Sequence, residues 1–232
     1  MIAGSYSMMG SKHKVNQDSC YVNCNGKKCL CAVADGMGGH NAGDIASASA
    51  IRIISSMKQT DEKSILKAFN DANKEIYEMS TCDTSLSGMG TTIVLAFINK
   101  EFGLIANVGD SRAYCVSRSS VRQITVDHSY VQELINSGKI TRIEAKTHPM
   151  RNVITMAGGV GSEITPNIKE VTFDSEDILL LCSDGVYGAL SDEEIIQCCF
   201  EEMPEQAAET ICRLAVKNGA TDDVTAVVVR MN

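Results

Sequence analysis

Cys31-Ala32-Val33-Ala34-Asp35-Gly36-Met37-Gly38-Gly39-His40-Asn41-Ala42-Gly43 passes from an apolar run through clustered glycines into a helical pattern. A Gly-x-Gly-x-x-Gly turn between strand and helix would open a parallel, doubly wound sheet around a dinucleotide. Here the third glycine position is Asn41, and Asp35 would face the pyrophosphate with like charge, so that reading fails. No Gly-x-x-x-x-Gly-Lys-Ser/Thr run occurs either. What remains is a buried strand ending in an acid, followed by glycines whose freedom lets the Gly36 carbonyl turn outward.

Working outward, apolar and β-branched runs predict strands at Leu30 to Ala34, Thr91 to Ile98, Gly103 to Val108, Ala113 to Val116, Ile168 to Phe173, Ile178 to Cys182 and Val224 to Val229. Helical spacing predicts helices at about 41–57, 61–79, 129–137, 191–201 and 205–217. Ser191-x-x-Glu194 reads as a capping box, and Thr60 precedes the first-turn acids Asp61 and Glu62. Strands come in succession, then helices, then strands again. That order is not a βαβ alternation and predicts an α+β fold with mainly antiparallel sheet. The stretch from Asn136 to Gly161 has no clean period and reads as a long functional loop.

The chain has 232 residues, 44% hydrophobic and 22% charged, enough for one sizeable core, and a single domain spanning 1–232 is expected. Twenty-one basic against 29 acidic residues give a net charge of −8, which argues against nucleic acid as a partner. No apolar run approaches the ~20 residues of a membrane span, and the polar start contains no signal-peptide core. A cytoplasmic protein without membrane contact is expected. The ten cysteines read as reduced thiols, and their spacings lack the paired halves of a zinc site.

Three hydrophobic runs end in Asp beside Gly, at Asp35-Gly36, Gly109-Asp110 and Asp184-Gly185, and Asp222-Asp223 immediately precedes a fourth run. Any one of these acids reads as a turn residue. If the strands are neighbours, four such ends gather carboxylates in a partly dry cleft, where their mutual repulsion calls for a cation. Oxygen ligands without thiolate suit magnesium or manganese, and a pair of such ions is the arrangement that hydrolyses phosphoesters.

In chain order, Asn16-Gln17-Asp18, Ala34-Asp35-Gly36-Met37-Gly38-Gly39-His40, Gly90-Thr91-Thr92, Asn107-Val108-Gly109-Asp110-Ser111-Arg112, Asp127-His128-Ser129, Ser183-Asp184-Gly185 and Asp222-Asp223-Val224-Thr225 resemble the metal-dependent protein phosphatases of type 2C in their bacterial form. The resemblance spans almost the whole chain. It implies a central β-sandwich of two mainly antiparallel sheets flanked by helix pairs, with a metal cleft at one end. It also implies two or three divalent ions, Mn2+ or Mg2+, and hydrolysis of phosphoserine and phosphothreonine in proteins, opposing a Ser/Thr kinase. A monomer is expected. The rival expectation is a weakly active or inactive member that binds phosphoproteins or a signalling partner.

By the same resemblance Asp35 bridges two metals, Gly36 offers its carbonyl to the second, and Asp184 and Asp222 complete the shell of the first. Asp18 holds a metal-associated water, and Asp110 with Asp184 forms a third site, unless Asp110 is a turn acid paired to Arg112. A water between the metals attacks phosphorus in line, so no cysteine is needed as nucleophile. His40 resembles a proton donor to the leaving alkoxide, with a structural role as the alternative. His148 and Arg151 fall on a flap at about 136–161 and are candidates to touch the phosphopeptide, whereas His128 fits better as a structural residue.

Two departures from the family pattern stand out. His13 occupies the position of an arginine that grips phosphate, and imidazole lacks the guanidinium fork and its permanent charge. His13 is then a weaker phosphate ligand, or Lys12 or Lys14 reaches in, or His13 is a surface residue. Asp223 replaces an asparagine beside Asp222, which either tightens the hold on cation or caps a turn.

Overall fold

The computed structural model describes residues 1–38, 42–100 and 102–231. Two sheets built from antiparallel pairs lie face to face. The first has the order β1-β11-β10-β7-β8 and the second β2-β3-β5-β6-β9, with β4 paired to β3. The first comprises β1 (Ile2–Met8), β7 (Arg112–Ser117), β8 (Ser120–Gln123), β10 (Ile178–Cys182) and β11 (Val224–Arg230). The second comprises β2 (Asp18–Asn25), β3 (Lys28–Met37), β4 (Gly90–Thr91), β5 (Ile93–Asn99), β6 (Phe102–Val108) and β9 (Asn167–Thr172). Helices α1 (Gly43–Ser55) and α2 (Glu62–Cys82) cover the outside of the second sheet; α6 (Asp192–Glu201) and α7 (Pro204–Lys217) cover the first.

Strand periodicity explains these four layers. Along β3, Cys29, Cys31 and Val33 enter the core between the sheets, while Leu30, Ala32 and Ala34 face α1 and α2. Along β10, Leu179 and Leu181 point inward, while Ile178, Leu180 and Cys182 meet α6 and α7. Both faces of each central strand are buried, so these strands read as unbroken apolar runs although the pairing is antiparallel. The predicted sandwich with flanking helix pairs is therefore the observed fold, and all seven predicted strands and five predicted helices are present.

Strands β1, β2 and β8 are additions to the predicted set. Each lies at an edge of its sheet, where partly exposed positions admit Ser, Asn and Arg and dilute the apolar signal. The stretch from Asn136 to Gly161 is also less irregular than expected, because it contains α4 (Arg142–Lys146). That helix is too short to show a period, yet Thr141 and Glu144 form a capping box, as Ser191 and Glu194 do on α6. At the start of α2 the cap is Asp61, whose carboxylate accepts from Ser64 N.

The expectation of ten free thiols is corrected at Cys24 and Cys29, which are joined by a disulfide. They face each other at the end of the β2–β3 hairpin, a pairing that only the register creates. The other eight are free. Burial pushes the Cys182 and Cys199 thiols up to about 12, so they behave as apolar core groups.

The segment returning from Asn136–Gly161 is tied to the core by Asn73 on α2. Its amide accepts from Gly159 N at 2.8 Å and donates to Gly161 O at 3.0 Å. Thr91 and Gly158 exchange two further backbone bonds. Replacing Asn73 by Ala strands a buried donor and should cost about 2 kcal/mol, lowering the thermal midpoint by roughly 4–8 °C for a chain of this size. Cleavage by trypsin between Lys139 and Arg151 should accelerate in the same variant; an unchanged midpoint and digestion pattern would exclude the anchor.

Candidate active site

The acids singled out in the sequence stand at one end of the sandwich. Asp18 opens β2 and lies opposite Asp35 of β3 in the pairing register. Asp110 follows β6, Asp184 follows β10 at the start of α5 (Asp184–Tyr187), and Asp222 and Asp223 precede β11. The two sheets meet here through Ser183, whose hydroxyl donates to Asp18 Oδ2 at 2.7 Å and accepts from Thr225 N at 3.0 Å. A strand end is where a polar side chain can face a cleft while its backbone stays paired, so the apolar runs themselves deliver the acids.

Their protonation reports the crowding. Burial, then the charges of Asp18, Asp184, Asp110 and Asp222, raise the Asp35 carboxyl well above the usual range. Burial lifts Asp18 to about 7 against the hydrogen bonds of Thr225 and Ser183, with Asp223 and Asp184 adding to the rise. Asp110 is lifted to about 7 by burial and by the charge of Asp184. Asp184 rises to about 6 through burial and Asp222, with Lys12 and Arg112 opposing. Buried carboxylates that destabilise one another in this way form a cation site in need of charge. Asp18 Oδ1 is buried and has no hydrogen-bond partner among the described residues, which leaves an oxygen available for a hard divalent ion. The donor set therefore fits magnesium or manganese.

Gly36 pairs with Thr91 of β4, and its N–H donates to Gln17 O at 3.0 Å. A Cβ there would lie 2.0 Å from Gly43 O. Close approach between β3 and α1 is what requires glycine, in place of the conformational freedom expected from the sequence; Gly36 has no positive φ.

Asp110 is not paired to Arg112. Arg112 donates from Nε and Nη2 to Asp127, with its shortest contact at 2.6 Å, and its guanidinium stacks 3.6 Å over the Tyr187 ring. Asp110 keeps only the Tyr187 hydroxyl, at 3.3 Å, among the described contacts, so the turn-acid alternative loses its proposed cation. His128 accepts from Gly109 N through Nδ1 at 3.2 Å and meets Asn167 through Nε2, which makes it a brace for the turn that carries Asp110.

His13 Nδ1 lies 2.9 Å from Asp223 Oδ2 and 3.6 Å from Asp222 Oδ1, and Lys12 Nζ lies 3.0 Å from Asp222 Oδ2. His13 is therefore held at the acid end and is not a free surface side chain. Asp223 is buried and accepts from Gly10 N and Gln17 N as well. His148 accepts from Met150 N at 3.1 Å and sits 6.0 Å from the Tyr130 ring, between centroids, while Arg151 is exposed. His40 lies outside the described residues. Two cavities of about 410 and 430 Å3, by Asn73 and by Phe97, contain none of the candidate residues.

Sequence reading passes over Asp44, in the first turn of α1. Its Oδ1 is buried without a partner among the described residues, a second orphaned carboxylate oxygen, one residue from the Gly36–Gly43 contact. The signal in the sequence was weak, because a first-turn acid is ordinarily explained by the helix dipole.

The protein phosphatase 2C family profile matches residues 9–218. The serine/threonine phosphatase stp of Listeria innocua is 36% identical over 216 residues, 89% of this chain and 86% of that protein. Among solved structures, serine/threonine phosphatase Stp1 from Staphylococcus aureus superposes with a TM-score of 0.90 at 32% identity, covering 99% of this chain and 94% of that one. The catalytic domain of the serine/threonine protein phosphatase PstP, in complex with two manganese ions, gives 0.85 at 30% identity, with 98% and 96% covered. Seven motifs in order, the four-layer sandwich and these likenesses agree: the chain belongs to the protein phosphatase 2C family.

Proposed function

We propose that this phosphatase hydrolyses phosphoserine and phosphothreonine esters of proteins with two or three divalent ions, Mn2+ or Mg2+, held by Asp18, Asp35, the Gly36 carbonyl, Asp110, Asp184 and Asp222. The observation that carries the reading is the cluster of mutually destabilised carboxyls around Asp35, with Asp18 Oδ1 left without a partner among the described residues. The likeness to a relative that contains two manganese ions supports it. When bound, such ions lower the pKa of a water and neutralise phosphoryl oxygens.

The chain's own residues position and shield. Asp35, at the centre of the acids, would hold the ions together with Asp184 and Asp222, and Asp18, fixed by its bond to Ser183, would add a carboxylate oxygen. His13 contacts the substrate phosphate, and His40 gives a proton to the leaving alkoxide. His148 and Arg151 on the exposed flap meet the polypeptide flanking the phosphoresidue, where Lys139, Arg142, Lys146 and Arg151 set a basic stretch against an acidic protein. Residues 1–232 act as one catalytic unit, monomeric and cytoplasmic, opposing a Ser/Thr kinase. No helix of the described residues is long and apolar enough to cross a membrane. A binding-only role gives no reason to assemble this many acids.

Hydrolysis of a phosphothreonine peptide should require added manganese or magnesium. Asp35→Asn and Asp184→Asn should each lower turnover by about a hundredfold or more, since the chemistry at stake is worth several kcal/mol. Full activity in EDTA would refute the metal-dependent reading.

Stability without metal should depend on pH in a defined direction. Asp18, Asp110 and Asp184 have native pKa values of about 7, 7 and 6, above an unfolded value of ~3.9. Between these limits the native state binds more protons than the unfolded state, so stability present at acid pH is lost as pH rises through that window. The thermal midpoint of EDTA-treated protein should therefore fall from about pH 5 to about pH 7.5. Manganese should raise it more at the higher pH, and a flat, metal-insensitive midpoint would contradict the charged cluster.

His148→Ala and Arg151→Ala should alter selectivity among phosphopeptides more than turnover of p-nitrophenyl phosphate, which is too small to reach the flap. Equal losses on both substrates would move these residues into the chemical step or the fold.

A further inference from the structure

His13 and Asp223, two separate departures in the sequence, are a single unit in the structure. Asp223 is only 3% exposed, and its carboxylate receives three donors from the loop between β1 and β2. Gly10 N donates to Oδ1 at 2.7 Å, Gln17 N donates to Oδ2 at 2.8 Å, and His13 Nδ1 approaches the same Oδ2 at 2.9 Å. Lys12 N donates to Thr221 O at 3.0 Å, and a Cβ on Gly10 would lie 2.2 Å from the Asp222 carbonyl. The loop is thus zipped against residues 221–223 at its start, middle and end, with the imidazole as the central tooth.

A carboxylate is acceptor-only, so the bond requires the proton on Nδ1; Nε2 is left for another partner and donates to an anion when it too carries a proton. The ring is 30% exposed, which permits that partner to come from solvent. We propose that Asp223 is the positioning residue for His13, accepting its Nδ1–H and fixing the ring beside Asp222 so that the imidazolium's Nε2–H donates to the substrate phosphate. This rests on the reading of His13 as the phosphate contact. It reassigns Asp223 from metal holding or turn capping to aiming a neighbour, a task that falls to carboxylates behind functional histidines generally.

Two readouts test it. Long-range proton–nitrogen spectra of the four histidines, taken with magnesium present, should show His13 with Nδ1 protonated in the parent protein, as the Nδ1–H tautomer or, with phosphate bound, as the imidazolium, and Asp223→Asn should abolish that preference. An Nε2–H tautomer in the parent, or loss of the Nδ1 proton on adding magnesium, overturns the proposal without any variant having to fold. The second readout is competitive inhibition by inorganic phosphate in a double-mutant cycle. His13→Ala and Asp223→Asn should each raise the inhibition constant by about tenfold, the worth of one charged hydrogen bond, with KM rising by more than kcat falls. The double variant should be no worse than His13→Ala. If His13→Ala leaves phosphate inhibition unchanged, the phosphate contact fails and the proposal with it. If His13→Ala weakens phosphate but Asp223→Asn adds its full effect in the absence of His13, the contact stands and the positioning role falls.

Discussion

The hydroxyl of Ser183 carries the contact on which the active end of the molecule depends. It is fully buried, donates to Asp18 at the head of β2 and accepts from Thr225 N in β11, so one oxygen joins the two sheets where their acids converge. A sandwich held only by Leu179, Leu181, Val227 and the facing Val33 and Val94 is cohesive but lacks direction, because dispersion and the hydrophobic effect tolerate small slides. Directional hydrogen bonding at the rim fixes the distance between Asp18 and the acids of the first sheet. The same logic extends to the Thr92–Ser111 hydroxyl contact at 2.7 Å and to Thr92, whose Oγ1 accepts from Asp35 N.

Crowded carboxylates oppose that order. Each is stabilised by a strand or turn that has no other place to put it, and together they raise one another's pKa. Arg112, the strongest cation nearby, is withheld from Asp110 by its fork on Asp127 and its stacking on Tyr187. Among the described contacts Lys12 is the one lysine that reaches a candidate ligand, Asp222. The fold therefore accepts electrostatic strain at one end of an otherwise well-packed core, a local conflict of the kind associated with function.

Much of the architecture was legible because central strands buried on both faces are long apolar runs, and because capping residues mark helix starts. Edge strands β1, β2 and β8 escaped, since half of each meets solvent and its composition resembles a loop. Helix α4 escaped periodicity, although Thr141 and Glu144 repeat the capping signature recognised at Ser191 and Glu194. The Cys24–Cys29 disulfide had no sequence signal to separate it from eight other cysteines, because proximity there is a product of hairpin register.

By itself the sequence determined the sandwich class, the identity of the acids at the strand ends and the family, since each follows from local composition and from motifs in order. Only the tertiary structure decided which partner each polar group has. It gave Arg112 to Asp127 in place of Asp110, made Gly36 a packing requirement of Gly43, left oxygens of Asp18 and Asp44 without partners among the described residues, and joined His13 to Asp223 across 210 residues. Partner choice depends on distances between chain segments remote in sequence, and those distances are set by how sheets and helices pack, which no local pattern encodes.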